Sequence, residues 1–308
     1  MDTLFQALEQ GAVVVDASTR GRVQVTGADA RAFLHRMSTQ HVSDPTPGQG
    51  KLNTLLTDKG RLKDVVIHLD RGALGVLLIG SPGRGPDIVA WLDRYLFSEK
   101  VELVDLSAQG SAATTAGVGA SALVDKLVAG AGALAPWGFI DSGDLLVARE
   151  FDVASDSGLK KSFVVVDFAQ PGIAARLGGT VVDSVDGARV RAGAPGLCEI
   201  TDAFTPLDLG LHDAIHWAKG CYIGQEVIAR LDTYQKQSKR LVVVDAAAAP
   251  GARIEHNGAA IGTVTSAAGC HSLAVVKLPE DGVVRVHDGE RVVDALAHAP
   301  PTAQSRHD

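Results

Sequence analysis

A cysteine between two glycines carries the clearest chemical signal, in the run Lys219-Gly220-Cys221-Tyr222-Ile223-Gly224-Gln225-Glu226. The spacing predicts a helix over 211–218 that ends at Gly220 in a left-handed conformation. Gly224 permits a second sharp turn before a short helix over 225–231. Cys221 would then lie in a tight loop beside the charge of Lys219, and such surroundings favour the nucleophilic thiolate. The run therefore predicts a reactive thiol.

Two other interpretations of this region stay open beside that one. A single cysteine in a glycine-rich turn is also typical of a small buried apolar residue. His212 and His216 are four residues apart, which suggests zinc together with Cys221, but no convincing fourth ligand follows. We therefore expect ordinary histidines and no metal site.

The cysteine count and the composition exclude several classes of protein. Cys198, Cys221 and Cys270 are odd in number and far apart, which excludes a disulfide framework or a four-cysteine metal site and favours a reducing, cytoplasmic setting. The net charge of −7 argues against a broad nucleic-acid surface. Residues 1–11 do not resemble a secretory signal, and apolar runs such as 74–79 are too short to span a membrane.

Strand-like and helix-like runs alternate without a regular β-α-β pattern, which favours an α+β fold with largely antiparallel sheets. Residues 107–132, rich in Ala and Gly, are expected to form one strand and one helix. From about residue 240, short β segments with turns at Asn257-Gly258 and Asp281-Gly282 predict a small C-terminal β-barrel. We expect a body over 1–238 and a barrel over 239–308, with a boundary near Gln237 to Leu241 and a mobile tail from Ala299.

The string KGCYIGQEVIAR, residues 219–230, closely resembles the signature of the YgfZ family. These proteins are relatives of the glycine-cleavage T-protein, an aminomethyltransferase, and bind tetrahydrofolate. Further segments resemble the family in the expected order: 27–34, 47–50, 55–61, 189–195, 199–206 and 261–266.

The resemblance implies a T-protein-like ring of two intertwined, sheet-containing subdomains and a small barrel, with folate in a central channel. An acidic side chain would bind the pterin, because a carboxylate accepts hydrogen bonds from its amino and N–H edge. Glu199 and Asp64 are the candidates by position, although each also fits a structural role. Arg230 and Lys219 are candidates for attracting the glutamyl tail, although solvated charges are more common.

The implied function is that of a tetrahydrofolate-binding accessory protein for assembly or repair of iron–sulfur proteins, which would be its partners together with folate. The alternatives are a folate-dependent aminomethyl or one-carbon transferase, and a binding module without chemistry. The T-protein carries two adjacent acidic residues where this chain has Lys63-Asp64. We therefore do not expect a true glycine-cleavage aminomethyltransferase.

Overall fold

Short aliphatic and β-branched runs separated by glycine turns form most of the elements. The computed structural model describes residues 3–234, 239–277 and 279–300. Within these residues the α-helices are α1 (Thr3–Gln10), α2 (Ala30–Met37), α3 (Gly85–Asp93), α4 (Ala120–Leu127), α5 (Ile173–Leu177), α6 (Asp186–Ala192) and α7 (Gln225–Thr233).

The strands follow the same pattern of short runs and tight turns. They are β1 (Val13–Asp16), β2 (Arg20–Thr26), β3 (Lys51–Leu56), β4 (Leu62–Asp70), β5 (Val76–Pro82), β6 (Glu102–Asp105), β7 (Ser111–Ala116), β8 (Phe139–Asp141), β9 (Leu145–Arg149), β10 (Val153–Ser155), β11 (Gly158–Lys160), β12 (Ser162–Asp167), β13 (Thr180–Val181), β14 (Arg240–Val244), β15 (Arg253–His256), β16 (Ala259–Ala268), β17 (His271–Val276), β18 (Val283–Asp288) and β19 (Arg291–His298).

In the described residues the body contains two large sheets and a separate two-stranded one, β10-β11. The first has the order β3-β4-β5-β2-β6 and is antiparallel throughout. The second has the order β13-β1-β7-β12-β9-β8, and only its β1–β13 pair is parallel. The chain enters the second sheet with β1, builds the first sheet, and returns with β7, so the two halves are interleaved. The predicted α+β class with largely antiparallel sheets is confirmed.

The two sheets pack face to face, with helices on the outer sides. Alternation along β4 sends Val66 toward α2 and α3, while Ile67 and Leu69 face the second sheet. Helices α4 and α5 cover the opposite side of the second sheet. The segment 107–132 forms β7 and α4, as its composition predicted.

The C-terminal barrel is also confirmed. Its six antiparallel strands close in the order β14-β17-β16-β15-β18-β19. Val242 and Val244 point into the barrel, while Leu241 and Val243 pack against the body. The predicted boundary falls partly on residues 235–238, and most of the predicted tail on 301–308, both outside the described residues.

The predicted helix over 211–218 is wrong. Only His212–Ala214 forms a 3₁₀ turn, and Gly220 has no positive φ. Main-chain groups of this segment bond instead to the loop after α2: His216 N–H donates to Thr39 O at 3.0 Å, and Ala214 O accepts from Thr39 Oγ1 at 2.6 Å. These tertiary bonds replace the hydrogen bonds of a helix. The short helix predicted after Gly224 is present as α7.

Candidate functional site

A cavity of about 240 Å³, the first chamber, lies between the two sheets of the body. Strands of both sheets contribute to its wall, and residues 194–197 together with Ile200 close one side. Its largely apolar lining includes Leu52, Val65, Ile67, Pro82, Phe151, Val153, Val185, Pro195, Leu197 and Ile200. Concave, mostly apolar spaces with a few polar groups are typical ligand sites.

A second chamber of about 260 Å³ adjoins the first. Both chambers are lined by Leu52, Glu150, Phe151 and Asp152. The second is completed by the segments around Trp137 and Leu211. The two chambers therefore share part of their wall, and we call them together the channel.

An aromatic pair stands in the wall of the second chamber. The rings of Trp137 and Phe151 meet edge to face, with centroids 4.8 Å apart. Trp137 has a φ of 65°, which is rare for a bulky side chain. Its carbonyl oxygen accepts a 2.9 Å bond from Gly50 N–H, and a Cβ at position 50 would lie 2.7 Å from that oxygen. Such costly conformations cluster at ligand sites.

Two carboxylates line both chambers. Glu150 accepts hydrogen bonds from Arg20 at 2.5 Å and Thr114 at 3.0 Å, and its side chain is 12% exposed. Both oxygens of Asp152 lie 2.9–3.0 Å from one guanidinium nitrogen of Arg149, and its side chain is 27% exposed. Asp152 is therefore the carboxylate more open to a ligand.

Glu199 lies directly behind the wall of the first chamber and is fully buried. Its Oε1 accepts a 2.5 Å bond from Ser266 of the barrel. Its Oε2 accepts a 2.8 Å bond from Gly196 N–H and lies 3.5 Å from an Arg189 nitrogen. Gly196 and Arg189 both line the chamber. Glu199 thus connects the body to the barrel. To bind a ligand in the chamber, its carboxylate would have to give up one of these three contacts.

Asp64 lies on the helix side of the first sheet and lines neither chamber. Its side chain is buried and accepts bonds from Ser81 N–H at 3.1 Å, Ser81 Oγ at 2.5 Å and Val65 N–H at 2.9 Å. Burial raises the pKa of Asp64, and these hydrogen bonds oppose the rise. The structure therefore does not bring Asp64 and Glu199 together at one site.

Lys219 fixes the signature loop, residues 219–226, to the end of α2. Its ammonium donates to the main-chain oxygens of His35 at 2.6 Å, Ser38 at 2.7 Å and Gln40 at 2.8 Å. Burial, and to a lesser extent the charge of Lys51, lowers the pKa of Lys219 to about 7. All three N–H groups of the ammonium have main-chain acceptors, and the activation of Cys221 and the attraction of a glutamyl tail by this charge stay predictions.

The rest of the loop packs against the turn over 57–60. Gly224 has a φ of +82°, and a Cβ there would lie 2.6 Å from Thr57 O and 3.0 Å from Gly60 Cα. Gln225 Nε2 lies 3.5 Å from Lys219 O. Burial raises the pKa of Tyr222 to about 12. Gly220 and Glu226 are exposed. The signature loop and the segment 55–61, both of which resemble the YgfZ family, are thus in direct contact.

Cys221 is exposed on this loop and lines neither chamber. Cys198 and Cys270 are exposed too. Cys270 lies in the turn after β16, with Sγ 3.3 Å from His271 Nδ1. Cys221, the thiol that the sequence predicts to be reactive, therefore lies outside the two chambers.

Histidines cluster beside the loop without forming a metal site. His41 packs against His35 and His216, with ring centroids 4.8 and 5.1 Å apart. No group of three or more His, Cys, Asp or Glu side chains among the described residues is arranged to hold a metal ion.

Arg230 is exposed on α7 and lines neither chamber. None of the helices in the described part of the chain is long and apolar enough to cross a bilayer.

The sequence interpretation missed Trp137, Glu150 and Asp152. The alternation of acidic, aromatic and acidic residues over 150–152 was the available signal, since it places two carboxylates beside an aromatic ring. Nothing local in the sequence indicates the positive φ of Trp137.

Residues 4–148 match the family described as the GCVT N-terminal domain. A protein of Arabidopsis thaliana, named provisionally as a chloroplastic transferase, is 30% identical over 284 residues, which are 87% of this chain and 64% of that protein. The aminomethyltransferase of Rubrobacter xylanophilus is 28% identical over 73% of this chain and 63% of its own length. This chain spans less than two thirds of each of these relatives.

The structure of aminomethyltransferase T from the glycine cleavage system of Bartonella henselae aligns with a TM-score of 0.76 at 19% identity. The alignment covers 97% of this chain and 88% of that one. The chain therefore has a T-protein-like fold, and its first half carries the matching N-terminal domain.

Proposed function

We propose that the chain binds tetrahydrofolate, or a derivative, in the two chambers and acts as a YgfZ-type accessory protein for iron–sulfur cluster assembly or repair. The observation that carries the binding part is the pair of adjoining chambers between the sheets of a T-protein-like fold. Tetrahydrofolate has two parts, a pterin ring and a benzoyl-glutamate arm, and we propose that each part occupies one of the two chambers.

Asp152 is the side chain that best fits recognition of the pterin edge. A carboxylate has about four lone-pair sites, and Arg149 uses only part of them. The Trp137–Phe151 pair offers aromatic surface beside it. Glu199, directly behind the first chamber, stays a candidate ahead of Asp64, which lies across the sheet.

Calorimetric titration with tetrahydrofolate tests this binding. Asp152→Asn should weaken binding about tenfold or more, because an unpaired buried polar edge costs about 1–3 kcal/mol. Trp137→Ala should weaken it as well, because it removes the aromatic surface beside the ligand. Asp156→Asn is the matched control: this exposed aspartate pairs with Arg191 outside both chambers. Absence of binding by the wild-type protein refutes the proposed function.

The signature string supports the iron–sulfur part of the proposal. The loop is held at both ends, by Lys219 and by Gly224, and presents Cys221 to solvent, where a protein partner has access. In cells lacking this protein, the wild-type chain should restore the activity of dependent iron–sulfur enzymes and Cys221→Ala should not. Cys198→Ala and Cys270→Ala are the controls. Full activity of Cys221→Ala favours a binding module without thiol chemistry.

A folate-dependent one-carbon transferase is the second candidate, favoured by the similarity to the aminomethyltransferase of Rubrobacter xylanophilus. Incubation with tetrahydrofolate and formaldehyde distinguishes the two. Catalytic transfer of the one-carbon unit to an acceptor supports the transferase, while binding without transfer supports the accessory protein.

A further inference from the structure

A separate cavity of about 270 Å³ lies on the helix side of the first sheet. We call it the helix-face cavity; it is lined by Leu55, Lys63, Asp64, Arg84, Asp87, Ile88, Ala90, Trp91 and Arg94. None of these residues lines either chamber of the channel. The first sheet therefore separates this cavity from the proposed folate site.

Three cationic side chains line this cavity, in a protein with a net charge of −7. Within residues 3–234, 239–277 and 279–300, neither Lys63 nor Arg94 forms an ion pair or a side-chain hydrogen bond. Arg84 lies 3.9 Å from Asp87, whose side chain is 72% exposed, and the charge of Arg84 also acts on the buried Asp64. Asp64 and Asp87 also line the cavity, so the three cations leave an excess of positive charge, and such an excess attracts anions.

Two carboxylates line the cavity: Asp87 is exposed beside Arg84, and Asp64 is buried and hydrogen-bonded. Asp64 accepts hydrogen bonds from Ser81 and Val65, so both of its oxygens have protein partners. Asp64 is buried, whereas the Arg84 side chain is 31% exposed and Arg94 is exposed. An incoming anion therefore meets the cations before it meets this carboxylate.

The remaining wall is apolar. Trp91 is only 6% exposed, and Ile88 and Leu55 are buried beside it. The volume lies just below the range of about 300–1,000 Å³ that is typical of sites for drug-sized molecules. The lining thus suits a small molecule with one charged end and one apolar part.

We infer that the helix-face cavity binds a small organic anion, a phosphate ester or a carboxylate, with its charged group between Lys63, Arg84 and Arg94 and its apolar part against Trp91. This site is independent of the proposed folate site. Arginine is well suited to such groups, since its planar fork donates two parallel hydrogen bonds to an oxyanion.

Titration with phenyl phosphate, benzoate, inorganic phosphate and phenol tests the inference, by calorimetry and by indole fluorescence. Phenyl phosphate or benzoate should bind more tightly than inorganic phosphate, and phenol should not bind. The tighter of the two organic anions identifies the charged group. Arg84→Gln and Arg94→Gln should each weaken binding about tenfold, as expected for loss of one charge-assisted hydrogen bond. Trp91→Phe should remove the fluorescence change.

Arg240→Gln is the matched control, because Arg240 is an exposed arginine at the start of the barrel. It should leave phenyl phosphate binding unchanged, and tetrahydrofolate binding should be unchanged in all three arginine variants. The inference is overturned if neither organic anion binds the wild-type protein, or if Arg240→Gln weakens binding as much as Arg84→Gln. Neither result bears on folate binding, so the two proposals fail separately.

Discussion

The ammonium group of Lys219 donates a 2.7 Å hydrogen bond to the main-chain oxygen of Ser38, the residue that ends α2. Two further carbonyl oxygens, of His35 and Gln40, complete its coordination. The signature lysine therefore caps the end of a helix 181 residues earlier in the chain, and none of these three hydrogen bonds goes to the cysteine two positions away.

Lys219→Met should lower the free energy of unfolding by about 3 kcal/mol, because it leaves buried carbonyl oxygens without a donor. Lys219→Arg should restore little of this, since a planar guanidinium cannot reproduce three converging bonds to a point charge. Urea unfolding of the two variants checks this, with Lys59→Met, an exposed lysine, as the control. Equal stability of Lys219→Met and the wild type contradicts the capping role.

Gly224→Ala and Gly220→Ala form a matched pair within one loop. At Gly224 a Cβ would lie 2.6 Å from Thr57 O at a φ of +82°, whereas at Gly220 nothing lies within 4 Å. We expect Gly224→Ala to destabilise the protein by about 2 kcal/mol or more and Gly220→Ala to change stability by about 0.5 kcal/mol or less. Thermal unfolding gives both values. Similar effects at the two positions would show that the packing against the 57–60 turn is unimportant.

Much of this architecture is predictable because it follows local patterns. The barrel, α7 and the β7–α4 segment were predicted from turns and periodicity that act over a few residues. The segment 211–218 has helical spacing, but Thr39 takes its main-chain hydrogen bonds, and such a distant partner leaves no local pattern. Trp137 and Asp152 were missed in the same way, since they come to line one chamber only through folding.

His68 should make the protein less stable in acid. It is buried on β4, and burial lowers its pKa to about 4 from an ordinary value of 6.5. The unfolded chain therefore takes up a proton that the folded chain does not, and stability falls as the pH drops from about 6.5 to about 4. The loss amounts to about 3 kcal/mol at most.

Urea unfolding at neutral pH and near pH 4.5 measures this effect. His68→Leu should lose less stability between the two conditions than the wild type, while His298→Asn, at an exposed histidine, should match the wild type. An equal loss in His68→Leu and the wild type would assign the acid sensitivity to other groups.

We predict that the chain does not replace the T-protein in glycine cleavage. From the sequence, the cause was the replacement of one acidic residue of the T-protein by Lys63, but Lys63 lines the helix-face cavity and neither chamber. The structure offers a different cause: Glu150 and Asp152, which line the channel, are already paired with Arg20 and Arg149. An acid so paired is poorly suited to manage charge on a departing amine.

Ammonia release from an aminomethylated lipoyl carrier, with tetrahydrofolate present, measures this activity. We expect none above background, and no gain in Lys63→Asp. Turnover comparable to that of an authentic T-protein contradicts the prediction, while a gain in Lys63→Asp alone would restore the original cause.

A crystal structure of the protein soaked with tetrahydrofolate tests the central claim most directly. The account predicts the ligand between the two sheets, with the pterin edge within hydrogen-bonding distance of Asp152 and an aromatic part beside Trp137. Folate bound only in the helix-face cavity, or a channel left empty at saturating folate, would contradict it.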